Sequence, residues 1–136
     1  MQPREELVRK ELVRQWLSKA ETDLKAAEAL LAQGPPLSYP SCFFSQQAAE
    51  KYLKGVLTWR QVEFPKTHLL GELLDLLAGV DASLADSLAA ATGLDPYAVE
   101  ARYPCDVPDP SATEAAAALK LAKQVRDAVL RALPSG

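Results

Sequence analysis

The ten prolines of this 136-residue chain stand at Pro3, Pro35, Pro36, Pro40, Pro65, Pro96, Pro104, Pro108, Pro110 and Pro134. A proline inside a helix costs about 3 kcal/mol, through a missing N–H and a clash with the preceding turn. The long proline-free stretches are therefore where long helices can form. Between Arg4 and Gln33 the apolar residues recur as Leu7/Val8, Leu12/Val13, Trp16/Leu17, Ala20, Leu24, Ala27 and Leu30/Leu31, the spacing of one helical face. Gly34-Pro35-Pro36 closes this first helix, and the alternating charges on its other face read as solvated surface.

A second helix is expected from about Ser41 to Gln61, carrying Phe43, Phe44, Ala48, Tyr52, Leu53, Val56, Leu57 and Trp59. Gly55 in its interior costs about 1 kcal/mol against alanine, so it marks either a close helix-to-helix approach or a tolerated accident. A short third helix follows, with Thr67 as a side-chain cap, a stripe of Leu69, Leu70, Leu73, Leu74 and Leu77, and Gly79 as its stop. Asp81 caps the next segment, and Asp95-Pro96 is expected to restart a helix that carries Tyr97 and Arg102. Ser111-Ala112-Thr113-Glu114 has the form of a reciprocal capping box, and the last helix runs from there to Leu133. No alternating strand pattern or internal repeat competes with these helices. The expectation is an all-α chain: one domain over residues 1–136, an antiparallel up-and-down bundle of four to five helices with a short extra helix.

Apolar residues make up 49% of the chain and charged residues 24%, which is a globular composition. The uninterrupted apolar runs are only a few residues long, too short to cross a bilayer, and the first fifteen residues are too charged for a secretory signal. A cytoplasmic protein without a membrane association is expected. Cys42 and Cys105 are then expected to stay reduced. With one histidine and two cysteines, a transition-metal site within one chain is not expected, nor is any cofactor. The net charge of −3 excludes a protein that holds nucleic acid mainly by overall positive charge, while leaving room for a local basic patch. There is no glycine-rich phosphate loop and no nucleophile elbow.

Three groups of residues remain as candidates for chemistry. The stretch CFFSQQAAEKYLKG puts Gln46, Gln47, Glu50, Lys51 and Lys54 on neighbouring faces of one helix beside an aromatic stripe. These residues form either a solvated face with a Glu50–Lys54 i, i+4 pair or part of a site. His68, expected in the first turn of the third helix, is either a hydrogen-bonded structural residue or a catalytic one. Arg102 either meets the negative end of a helix dipole or grips a phosphate, since a guanidinium offers paired donors that match phosphate oxygens. Tyr97 and Tyr103 flank it, suited to packing or to base stacking.

Taken together, Ala20-Glu21-Thr22-Asp23-Leu24, the block CFFSQQAAEKYLKGVL from Cys42 to Leu57, PKTHLL from Pro65 to Leu70 and ARYP from Ala101 to Pro104 resemble the HEPN family of small helical domains. The resemblance runs from about residue 16 to the end, with a domain core over about 16–133. It implies a helical bundle that usually forms a homodimer. It also implies a partnership with a small nucleotidyltransferase, in a pair of the toxin–antitoxin type. Many relatives cleave RNA with an arginine at a helix end followed a few residues later by a histidine, and two such pairs meet across the dimer. The arginine steadies phosphate while the 2′-hydroxyl of the RNA attacks.

Arg102 matches the family arginine, but no histidine follows His68 anywhere in the chain. Asp106 and Asp109 lie in the right region, yet a carboxylate is a poor proton donor to the leaving oxygen. The resemblance with this departure implies a non-catalytic or weakly active HEPN domain. Such a domain binds a nucleotide or RNA, a nucleotidyltransferase, or both. Arg102 and Tyr103, with Glu50, Lys51 and Lys54, are the candidate ligand-binding residues. Two alternatives stand beside it: a metal-independent ribonuclease using Arg102 with a displaced acid or base such as His68, and a dimeric interaction module without a ligand.

Overall fold

In the computed structural model, residues 3–98 and 108–134 are described. Among them the regular structure is helical: α1 (Pro3–Gln33), α2 (Ser38–Trp59), α3 (Leu70–Ala78), α4 (Ala82–Ser87), a 3-10 segment (Ala89–Tyr97) and α5 (Ala112–Ala132). Contacts between Arg9 and Trp59 at one end and between Ser41 and Ala27 at the other set α1 antiparallel to α2. The central element is α2, which packs against α1, α3, α5 and the 3-10 segment. Tyr52, Leu53, Val56 and Leu57 on α2 are buried together with Leu24, Leu70, Leu73, Leu77, Leu94, Val125 and Val129 from the surrounding elements.

The first helix has the expected extent. Gly34 ends it in a left-handed conformation, φ 75°, which costs a residue without Cβ nothing. The second helix begins three residues before the expected Ser41, because Pro40 falls in its first turn, where an N–H has no intrahelical acceptor to lose. It also stops two residues short of Gln61. Gln61 takes φ 60° there, with Gln61 N donating to Thr58 O and Val62 N to Leu57 O. This is a Schellman closure built on glutamine where glycine is usual.

Gly55 packs against α1: a Cβ built on it would lie 3.4 Å from Leu17 Cδ2 and 3.5 Å from Trp16 Cβ, ordinary contact distances. The space takes a methyl group, so a glycine is tolerated there rather than required.

Two expected helix starts are corrected. Thr67 does not cap α3; its hydroxyl accepts from Leu69 N within the preceding turn. The cap comes from Asp95, whose carboxylate accepts from Leu70 N at 2.7 Å and Gly71 N at 3.3 Å. Asp95 and Pro96 likewise do not open a helix, since both lie inside the 3-10 segment. The Asp95 side chain, spent on α3, is not available to cap a helix of its own. The remainder of that expected helix, with Arg102, lies outside the described residues. By contrast, Asp81 caps α4 through Leu84 N, and Ser111 and Glu114 form the reciprocal box at the start of α5. Among the described residues no helix is long and apolar enough to cross a membrane.

Candidate functional site: a buried Glu50–Lys54 pair under His68

The polar stripe of α2 has the sequence pattern of a water-facing surface, but the tertiary fold covers it. Glu50 is 3% exposed and Lys54 7%, which overturns the solvated-face reading. The cover comes from α1 and the linker between α2 and α3. The Lys54 ammonium lies 5.6 Å from the Trp16 ring centroid and 5.8 Å from that of Phe64, between aromatic faces that attract a cation. Lys54 Nζ also donates to Glu50 Oε2 at 3.0 Å. Removing two charges from water is costly unless they pair and keep further hydrogen bonds. The pair has both.

The other Glu50 oxygen meets His68. Nδ1 of His68 lies 3.1 Å from Glu50 Oε1, while the imidazole remains 68% exposed. His68 stands in the linker two residues before α3, not in the first turn of that helix. Its main chain is held from α2 as well: Gln46 Nε2 donates to His68 O at 2.6 Å, and Gln47 Nε2 donates to Gln46 Oε1 at 2.7 Å. The QQAAEKYLKG and PKTHLL stretches, separated in sequence, thus form one hydrogen-bonded cluster. Its inner end is dry and its outer end is an accessible imidazole.

Lys51, one turn before Lys54, also meets α1, where its ammonium is paired with Asp23. Next to it the Tyr52 hydroxyl donates to Glu21 at 3.0 Å. Burial, and then the neighbouring Glu21 carboxylate, push the Tyr52 hydroxyl above its ordinary value. Asp23 and Glu21 both belong to the AETDL stretch of α1, so that stretch meets α2 through these two contacts. Arg102 and Tyr103 lie outside the described residues, as do Cys105 and Asp106. Cys42 is buried in the core. Asp109 is exposed. Among the described residues no group of three metal-ligating side chains is assembled.

Sequence reasoning missed the structural partners of these groups. Trp16 and Phe64 become a wall for Lys54 only through the way α1 and the linker after α2 pack against α2. Asp95 carried a local helix-start signal that pointed to the wrong helix. Where the first half of α1 meets the ends of α2 and α5, Leu7, Val13, Leu17, Trp59, Leu130 and Leu133 line a largely apolar groove of about 520 Å³. No helical-spacing argument separated that groove from the core.

The chain has solved structural relatives. TT1696 from Thermus thermophilus is similar at 33% sequence identity and a TM-score of 0.70, over 89% of this chain and 98% of that one. ST0689, described as an archaeal HEPN homologue, is similar at 27% identity and a TM-score of 0.67, over 88% of this chain and 96% of that one. No curated protein matches. The sequence profile of the HEPN domain matches residues 13–132, most of the length, and the chain therefore belongs to the HEPN-domain family.

Proposed function

We propose that this HEPN-family chain binds the phosphate of a nucleotide through Arg102, with Tyr103 beside it, and acts with a nucleotidyltransferase partner in a pair of the toxin–antitoxin type. The observation that carries this reading is Arg102 kept in the ARYP motif with no histidine after it. A guanidinium without a nearby proton-transfer group binds and orients phosphate but moves no proton. Lys51, Lys54 and Glu50 are each engaged in pairs within the chain, so the proposed phosphate contact rests on Arg102. The proposed working form is a homodimer, as is usual for the family, and its proposed location is the cytoplasm. Isothermal titration of the purified chain with ATP and with GTP tests the reading. Binding that Arg102→Ala weakens at least tenfold supports it, and equal binding by both proteins removes Arg102 from the role.

A second reading is favoured by one specific observation, the Glu50–His68 contact. A histidine oriented by a carboxylate is the arrangement in which imidazole serves as a general base. In that reading the chain is a metal-independent ribonuclease in which His68 replaces the missing histidine and Arg102 steadies the phosphate. Cleavage of a labelled single-stranded RNA in the presence of chelator, lost in both His68→Ala and Arg102→Ala, supports it. RNA left intact by the wild-type protein removes it.

A further inference from the structure

We infer that Glu50 is a positioning residue that holds His68 in a single tautomer, with the proton on Nδ1 and the Nε2 lone pair free to accept a proton. The inference rests on the second reading above and deepens it.

A carboxylate paired with an ammonium, as Glu50 is with Lys54, has only lone pairs to offer. The 3.1 Å contact between Glu50 Oε1 and His68 Nδ1 is therefore made by an imidazole N–H. In a neutral ring the second nitrogen, Nε2, then carries no proton. The carboxylate that sets this arrangement is nearly excluded from water, whereas the ring it orients is mostly exposed. A dry hydrogen bond fixes the tautomer, and a wet edge is left for a reactant.

The surroundings supply two further conditions. The Gln46 bond to the His68 carbonyl holds the main chain, so both ends of the residue are tied to α2. The linker is held by this bond together with the turn bonds from Thr67 N to Pro65 O and from Leu69 N to the Thr67 hydroxyl, and the carboxylate on the imidazole orients the ring. Lys54 cancels the charge of Glu50, so an approaching phosphate meets no uncompensated anion. In the reaction, Nε2 takes the proton of a ribose 2′-hydroxyl as the 2′-oxygen bonds to phosphorus and the bond from phosphorus to the 5′-oxygen breaks. The 5′-oxygen takes a proton from water, and the imidazolium returns its proton to the hydroxide so formed. The products are a cyclic phosphate and a 5′-hydroxyl.

His68 is the chain's single histidine, so the imidazole signals of tag-free, ¹⁵N-labelled full-length protein have one source. Long-range proton–nitrogen correlations at about pH 9, above the ordinary histidine range, read the tautomer directly. The expected pattern is a protonated Nδ1 and a bare Nε2, moving toward Nε2–H in Glu50→Leu, which leaves Nδ1 no acceptor. A wild-type ring protonated on Nε2, or a pattern unchanged in folded Glu50→Leu, overturns the inference. If Glu50→Leu does not fold, Glu50→Asp supplies the perturbation, since its shorter side chain draws the carboxylate away from Nδ1. Carbethoxylation of His68 by diethyl pyrocarbonate provides a second readout, expected to slow several-fold in the variant; an equal rate in both proteins also overturns the inference. Intact RNA alongside the expected tautomer and rates overturns the ribonuclease reading and leaves the hold of Glu50 on His68 standing.

Discussion

The carboxylate of Asp95 accepts from the amides of Leu70 and Gly71, closing the start of α3 from the far end of the 3-10 segment. Two orphan amides at a helix start are satisfied by one side chain 25 residues away in sequence. Asp95→Ala is expected to cost about 1–2 kcal/mol, the usual worth of such a cap, and Asp95→Asn, which keeps an acceptor, less than half of that. Urea unfolding followed by circular dichroism measures both. An Asp95→Ala protein as stable as wild type would show that water replaces the cap.

The approach of α1 to α2 at Gly55 makes a second prediction. Alanine gains about 1 kcal/mol of helix propensity over glycine. Its methyl meets Leu17 and Trp16 at ordinary contact distances, so Gly55→Ala is expected to stay within about 1 kcal/mol of wild type or to gain stability. Gly55→Leu has no room and is expected to lose about 1–3 kcal/mol or more. Thermal melts of the two variants separate a packing constraint from a backbone one: equal losses in both would point to the backbone.

Glu50 and Lys54 are expected to behave as one unit. Lys54→Met leaves a buried carboxylate with no ammonium beside it, at a cost of about 3–5 kcal/mol. Glu50→Gln leaves the ammonium unpaired at a similar cost, softened by the Trp16 and Phe64 rings. The double variant Glu50→Gln/Lys54→Met is expected to be more stable than the sum of the two losses by about 1–3 kcal/mol. Additive losses in a double-mutant cycle would mean that the two side chains are stabilised separately.

Alkaline pH offers a fourth test. The folded-state value of the Tyr52 hydroxyl is raised by burial and by Glu21, so the unfolded chain gives up this proton first as pH rises. The associated stability is complete below about pH 10, the unfolded tyrosine value, and is lost as pH climbs beyond it. Tyr52→Phe is expected to flatten the decline of unfolding free energy above that pH, relative to wild type at the same pH. A decline of the same slope in both proteins would assign the alkaline loss to other groups.

Much of this architecture was legible in the chain. The proline spacing marked the limits of α1 to within a residue, because a proline-free amphipathic stretch has few competing local structures. The Ser111–Glu114 box and the Asp81 cap were read correctly because each satisfies amides within four residues of itself, a distance that helix geometry alone controls. The expected caps at Thr67 and before Pro96 failed for the converse reason. Asp95 had two places to go, and only the packing of the 3-10 segment against α3 selects the amides of Leu70 and Gly71. The candidate site divides in the same way. Residue types at Glu50, Lys54 and His68 were visible, but an i, i+4 acid–base pair has the same sequence pattern on a wet face as on a dry one.

By itself the sequence determined what depends on local periodicity and on backbone chemistry: an all-α chain, the places where helices break, and the motifs that mark the HEPN family. Tertiary structure decided what depends on burial. Trp16 and Phe64 close over Lys54, and that cover removes the Glu50–Lys54 pair from water. The linker brings His68 onto the free oxygen of Glu50. The physical reason is that a charge's environment is set by neighbours distant in sequence, and dielectric, ion pairing and tautomer all follow from that environment rather than from residue type.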